Sequence, residues 1–188
     1  MLEELIKQNR GYLHSRDIQH SRRLQYELQA LNKSGKLTRL RRGLYRHEEL
    51  ATLDHWQEVS LMYPKAVLCL TSAAAFYDLT TYQPPEVHMA IGQKAKMKVE
   101  NFPPVQLYYW PDKFYKQHKV NINEVKIYSI ERTVCDLIRL QNQPGLDVVK
   151  EACQNYLRRE DKNINVLLTT AREIDVYTKV SKLFEILI

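Results

Sequence analysis

The chain is poor in the residues on which several large function classes depend. It has three cysteines in 188 residues, Cys69, Cys135 and Cys153, odd in number and widely spaced, each in an apolar run. That pattern argues against a disulfide framework or a cysteine zinc site and fits buried, reduced thiols. Glycine occurs only five times, and no phosphate-cradling glycine loop is present. His14, His20, His47, His55, His88 and His118 fall at no metal-ligand spacing, and no Ser-His-Asp or Cys-His arrangement stands out. No apolar run approaches the ~18 residues needed to cross a bilayer. The opening Met1-Leu-Glu-Glu-Leu-Ile reads as the start of an amphipathic helix, not as a signal peptide. The expectation is a cytoplasmic protein with no membrane segment, no cofactor and no bound metal.

Acidic residues are scarce at one end. Residues 1–46 hold eleven Lys/Arg and four Asp/Glu, 11 − 4 = +7, whereas the remaining 142 hold seventeen and eighteen, 17 − 18 = −1. The whole net charge of +6 therefore sits in the first quarter of the chain. Such segregation points to a polyanion-binding module joined to a neutral one.

The densest part of that module is Gly35-Lys-Leu-Thr-Arg-Leu-Arg-Arg-Gly-Leu-Tyr-Arg46. It reads as two short strands, 37–40 and 44–46, joined by a tight turn in which Gly43 supplies the positive φ. Before it, residues 21–34 carry leucines at 24, 28 and 31, the spacing of one helix face. Residues 2–9 predict a first helix closed by Gly11, Tyr12-Leu13 a short strand, and Ser15 the cap of a brief helix holding Asp17 and Ile18. Helix, short helix, longer helix and basic hairpin, in that order, is the plan of a winged helix-turn-helix that meets double-stranded DNA.

On that plan residues 21–34 form the recognition helix. Arg22 and Arg23 lie near its N-terminus, and Gln25, Tyr26 and Gln29 on its outward face, with Lys33 near its C-terminus. Arginine bonds guanine O6 and N7 in a bidentate fashion, and glutamine does the same for adenine N6 and N7. Arg39, Arg41 and Arg42 of the hairpin reach an adjacent minor groove or phosphates. The expected domains are residues 1–50, the winged helix, and residues 51–188.

The remainder reads as α+β. A helix is expected over 48–63, ended by Pro64, followed by an apolar run at 66–70. A small helix over 72–78 is capped by Thr71. Strands are expected at 87–91, 105–110 and 125–130, with Lys94, Lys96 and Lys98 alternating as on an exposed strand. Helices over 130–141, 146–159 and 164–187, the last broken near Asp175, close the chain.

Three segments carry a family resemblance: GKLTRLRRGLYR at the hairpin, LTSAAAFYDLTTYQPPEVHMAI in the middle, and VKIYSIERTVCDLI over 125–138. Together, and in this order, they resemble the AbiEi-type antitoxins of type IV toxin–antitoxin (abortive infection) systems. The chain departs from that pattern at Tyr77-Asp78, where a His-Gly pair is expected, and in the basic tract of Lys94 to Lys98. The resemblance implies a transcriptional repressor that binds operator repeats in double-stranded DNA, as a monomer or a weak dimer on inverted repeats. It also implies an antitoxin domain that counteracts a nucleotidyltransferase-like toxin without enzymatic activity of its own. Within the best-matched segment, Glu131, Arg132, Thr133 and Asp136 read as a network that holds the fold, since Arg132 and Asp136 are one helical turn apart.

One enzymatic alternative has residues behind it. Pro111-Asp112 followed by Glu124-Val125-Lys126 matches a PD-(D/E)xK metal-dependent nuclease, with a winged helix as targeting module. That chemistry requires Glu124 and Lys126 on one face of a strand.

Overall fold

Leu2 and Ile6, one helical turn apart, give the first helix a single buried edge. In the computed structural model, which describes residues 1–187, α1 (Leu2–Gln8) buries both. Gly11 ends the turn at φ +92°, its N–H donating to the Ile6 carbonyl at 2.8 Å. A Cβ there would lie 2.3 Å from the Ala51 backbone, so glycine is obligatory for packing as well as for φ. The chain continues through β1 (Tyr12–His14), a 3-10 turn at Ser15–Ile18, α2 (Arg22–Lys33), β2 (Leu37–Arg41) and β3 (Leu44–His47). The three strands form an antiparallel sheet in the order β1-β3-β2. Its core is Leu2, Ile6, Leu13, Ile18 and Leu37, against which Leu24, Leu28 and Leu31 of α2 pack.

The next helix is shorter than its apolar pattern predicts. Instead of running from residue 48, α3 spans His55–Met62. Asp54 and Gln57 form a reciprocal capping box that fixes its start: Gln57 N–H donates to Asp54 Oδ1 at 2.9 Å, and Asp54 N–H to Gln57 Oε1 at 3.1 Å. Glu58 of α3 accepts from the Tyr12 hydroxyl at 2.6 Å and pairs with Arg46 at 3.2 Å, so this helix belongs to the first of two compact units, Met1–Met62.

The second unit begins at Tyr63. Its elements are β4 (Val67–Leu68), α4 (Leu70–Phe76), β5 (Val87–Gly92), β6 (Val105–Trp110), α5 (Asp112–Lys116), β7 (Lys119–Ile122), β8 (Val125–Tyr128), α6 (Ile130–Arg139), α7 (Leu146–Arg158), α8 (Ile164–Glu173) and α9 (Tyr177–Leu187). The strands form one sheet in the order β6-β5-β4-β8-β7, with β5–β6 and β4–β8 parallel and the other pairs antiparallel. Among the described residues the fold is α+β, with nine α-helices and two small sheets. No described helix is long and apolar enough to cross a membrane.

Several local expectations change. Lys94, Lys96 and Lys98 lie on no strand, because β5 ends at Gly92 and the chain then turns. Thr71 does not cap α4, which starts two residues earlier, at Leu70, with Cys69 as its N-cap; the Thr71 hydroxyl instead lies 2.8 Å from His88 Nδ1. Asp78 adopts φ +56° at the end of α4, the left-handed conformation for which glycine is usual and aspartate tolerated. The expected break near Asp175 is present at φ +61° and separates α8 from α9.

At the centre of this unit Arg132 is fully buried. Its guanidinium lies 4.8 Å from the Trp110 ring centre and 4.7 Å from that of Tyr128, donates to Asp136 Oδ2 at 2.8 Å and to the Phe114 carbonyl at 3.1 Å. Arg139 approaches the other Asp136 oxygen at 3.1 Å. Burial pushes the Asp136 carboxyl up to about 6 against the pull of both arginines, which leaves it ionised at neutral pH. Asp136→Asn would leave a buried guanidinium uncompensated and is expected to cost about 3–5 kcal/mol in urea unfolding of the full chain; a loss below about 1 kcal/mol would refute the central role of the pair.

His88 yields a prediction with a pH sign. Burial lowers its imidazole from 6.5 to about 4 in the folded chain. The unfolded chain therefore protonates first, and this residue's contribution to stability declines as pH falls from 6.5 to about 4. Asp136, raised from 3.8 to about 6, acts in the opposite sense over much of that window. The diagnostic is thus the difference between parent and His88→Gln, whose melting temperatures should converge as the pH is lowered; parallel curves would refute it.

Candidate nucleic-acid interface

The surface of α2 follows from 3.6 residues per turn. Leu24, Leu28 and Leu31 occupy the inner stripe, and Ser21 caps the helix by accepting from Leu24 N–H at 3.3 Å. Directly opposite, at spacings of four, three and four, lie Arg22, Tyr26, Gln29 and Lys33, all exposed, with Tyr26 at 71%. No residue of this helix is fully buried.

Two of the expected contact residues are engaged elsewhere. Arg23 lies on the flank and pairs with Glu27 at 3.1 Å. Glu27 also accepts from Leu2 N–H at 3.1 Å, and that backbone bond, followed by Arg23, holds its carboxyl below the ordinary range. The Gln25 side chain folds back to donate to the Gln19 carbonyl at 2.8 Å, closing the turn that leads into α2.

In the hairpin, the pair Arg41↔Leu44 leaves Arg42 and Gly43 as the turn, with Gly43 at φ +78°. Arg42 is exposed there. Arg39 is exposed, and its Nε donates to the Arg41 carbonyl at 3.4 Å. Arg41 is half-buried and donates to the Met62 carbonyl, so its role is at least partly to fasten α3. Arg46, the fourth arginine of this segment, is taken up by Glu48 and Glu58, each at 3.2 Å.

One basic residue beside the hairpin was not legible in the sequence. Ser15 N–H donates to the Gly43 carbonyl at 2.9 Å, which brings the 3-10 turn against the hairpin tip. Arg16 follows directly; its side chain is 76% exposed, with Nε 3.6 Å from Asp17 Oδ1. Only the tertiary register reveals this, since Arg16 sits in a short turn with no motif around it.

Charge has to be recounted for the unit as folded. Residues 47–62 add four acidic and no basic residues, so Met1–Met62 carries 11 − 8 = +3 and the rest of the chain 17 − 14 = +3. Polyanion binding by the first unit therefore depends on local grouping of cations and not on its net charge. Glu48 and Glu58 are bound to Arg46.

The nuclease residues do not assemble as their chemistry requires. Asp112 opens α5, and Lys126 lies on β8 with its ammonium donating to the Pro64 carbonyl at 2.6 Å. Glu124 lies in the turn between β7 and β8 at φ +68°, not on a strand beside Lys126. Among the described residues no three His, Cys, Asp or Glu side chains are grouped to hold a metal ion.

No protein-family model matches the chain, and no curated protein matches its sequence.

The engaged and the exposed arginines should separate in stability. Arg46→Ala is expected to destabilise the protein by about 1 kcal/mol, and Arg22→Ala or Arg42→Ala by less than about 0.5 kcal/mol, in thermal unfolding. Equal losses in all three would place Arg22 and Arg42 in the fold rather than on an open surface.

Proposed function

We propose that the chain is a DNA-binding transcriptional autorepressor whose first unit works as a winged helix-turn-helix. In this reading α2 enters the major groove and the β2–β3 hairpin is the wing. The observation that carries it is the stripe Arg22, Tyr26, Gln29 and Lys33, held opposite the leucines that anchor α2, with Arg42 exposed at the tip of the neighbouring hairpin. A helix that spends three leucines on its inner face and keeps arginine, glutamine and tyrosine outward has the side chains that base edges and phosphates require. Lys33, at the far end of the stripe, suits a phosphate, and Arg42 and Arg16 suit the backbone or the adjacent minor groove.

Antitoxin activity of the second unit, against a nucleotidyltransferase-like toxin, rests on the resemblance of the three sequence segments. Two of them serve the architecture of that unit: Ser72 Oγ accepts from His88 N–H at 2.9 Å, Tyr77 donates to the Tyr128 carbonyl at 2.8 Å, and Arg132 and Asp136 form the buried pair. The segments therefore support a shared fold, and the toxin-directed role is a proposal to be tested by growth rescue on co-expression with the neighbouring gene. The PD-(D/E)xK reading lacks its paired Glu124 and Lys126 and is the weaker alternative.

The chain is expected to retard a fragment of its own promoter in preference to unrelated DNA of equal length. Arg22→Ala should weaken that binding by roughly tenfold or more, about 1–3 kcal/mol, and relax sequence preference. Arg42→Ala should weaken all sequences alike and reduce the slope of log K against log salt by about one. Arg23→Ala, already paired with Glu27, should matter less than Arg22→Ala. Undiminished promoter binding by an Arg22→Ala/Arg42→Ala protein would overturn the assignment of this surface.

A further inference from the structure

The second unit contains a cleft of about 590 Å³ between α5, the β7–β8 hairpin and the segment that follows Tyr63. Four lysines line it, Lys65, Lys116, Lys119 and Lys126, against one carboxylate, Asp112. We propose that this cleft is a binding site for a polyphosphate anion, either the phosphate tail of a nucleotide or inorganic triphosphate.

The placement of the lysines follows from strand register. Asn121 on β7 pairs with Lys126 on β8, so Lys119, two residues from Asn121, shares the Lys126 face of the hairpin. Lys116 reaches the cleft from the end of α5, three residues earlier, and Lys65 from the segment that follows Tyr63. Lys126 directs its ammonium to the Pro64 carbonyl at 2.6 Å, and the Lys119 ammonium lies 3.1 Å from the centre of the Tyr115 ring. Among the described residues, no ion pair ties Lys65, Lys116 or Lys119 to a carboxylate.

The electrostatic consequence is visible at Lys119. Partial burial first, and then the like charges of Lys126 and Lys116, lower its ammonium from 10.5 to about 8. Lys65, Lys116 and Lys119, gathered in a concave site without an ion pair to a carboxylate, repel one another, and an anion with several phosphate oxygens relieves that repulsion while accepting hydrogen bonds from each ammonium. The Tyr115 ring compensates only part of the cost. The cleft volume falls within the ~300–1,000 Å³ of small-molecule sites. Val67 and Val120 on its walls suit a small ligand with an apolar part better than a bare ion. The site is built from residues of the second unit alone and stands or falls independently of the DNA-binding proposal.

Titration calorimetry on the full chain, with ATP and with inorganic triphosphate as separate probes near pH 8, tests the site. Saturable one-to-one binding is expected for both, with proton uptake in buffers of different ionisation enthalpy as Lys119 becomes fully protonated. Equal affinities would assign the inorganic anion and tighter ATP binding a nucleotide. Lys119→Met and Lys116→Met should each weaken binding about tenfold or more with unchanged melting temperature, while Arg22→Ala/Arg42→Ala binds like the parent. Absence of saturable binding by triphosphate up to about 5 mM, retention of full affinity in both lysine variants, or loss in the arginine variant would overturn the proposal.

Discussion

The second unit is organised around one buried cation. Arg132 begins on α6, reaches between Trp110 at the end of β6 and Tyr128 at the end of β8, and finishes on the Phe114 carbonyl of α5. These four elements meet at a single guanidinium, which can be charged there only because Asp136 follows one turn later and Arg139 supports the same carboxylate. Flat, delocalised charge suits this place: guanidinium stacks on two rings and still projects donors in its own plane, which a lysine ammonium does not do. The helices α7, α8 and α9 then pack outward on α6 through Val149, Cys153, Leu167, Ala171, Val180 and Phe184. The pair costs desolvation, so its value lies in fixing which residues of α6 face the sheet, more than in net stability.

The first unit solves a different problem. With about sixty residues it can bury little: its central cluster is Leu2, Ile6, Leu13, Ile18 and Leu37, with Tyr12, Leu44, Val59 and Met62 also buried. Helix α2 is attached by a narrow leucine stripe and has no fully buried residue. Such a helix contributes modestly to the core and presents most of its circumference to solvent, an arrangement that suits insertion into a groove. The cost is met at its edges: the Ser21 cap, the Gln25 bond to Gln19 and the acceptance of Leu2 N–H by Glu27 hold its N-terminal half in place. Three polar residues that look like surface decoration in the sequence are thus the fastenings of the helix.

Legibility in the sequence followed the range of the interaction responsible. Local signals read well: Gly11 and Gly43 at positive φ, Ser21 before the leucine stripe, and the i, i+4 spacing of Arg132 and Asp136 all appear as the linear pattern suggests. The capping box of Asp54 and Gln57 was equally local, but the apolar pattern upstream concealed it. Features set by distant contacts did not read. Strand β7 has Lys119, Asn121 and Val120 exposed and pairs only with β8, so it shows no clean alternation. Lys94, Lys96 and Lys98 show that alternation and form no strand, because no neighbouring strand lies beyond Gly92 to pair with them. At the candidate interface, periodicity placed Arg22, Arg23, Gln25, Tyr26 and Gln29 outward, and all five are exposed; that Arg23 pairs with Glu27, Gln25 with the Gln19 carbonyl and Arg41 with the Met62 carbonyl depends on contacts the linear pattern does not show.

The charge distribution shows why this distinction matters for function. A cut at residue 46 suggests a cationic module and a neutral remainder; a cut at the end of the first compact unit gives +3 on each side. Net charge at this level exerts a weak field beyond the ~8–10 Å over which salt screens it. Binding a polyanion then depends on local grouping, on how many cations share a surface without carboxylates beside them. By that measure the arginines divide. Arg23, Arg41 and Arg46 are committed to Glu27, the Met62 carbonyl, and Glu48 with Glu58, and Arg16 lies 3.6 Å from Asp17, while Arg22 and Arg42 remain exposed on α2 and the hairpin. The same criterion applied to the second unit selects the lysines around Lys119, where partial burial, and then the like charges of Lys126 and Lys116, lower an ammonium to about 8. A site for anions is a place where the fold tolerates like charges in proximity, and that criterion is the common ground of the two proposals made for this chain.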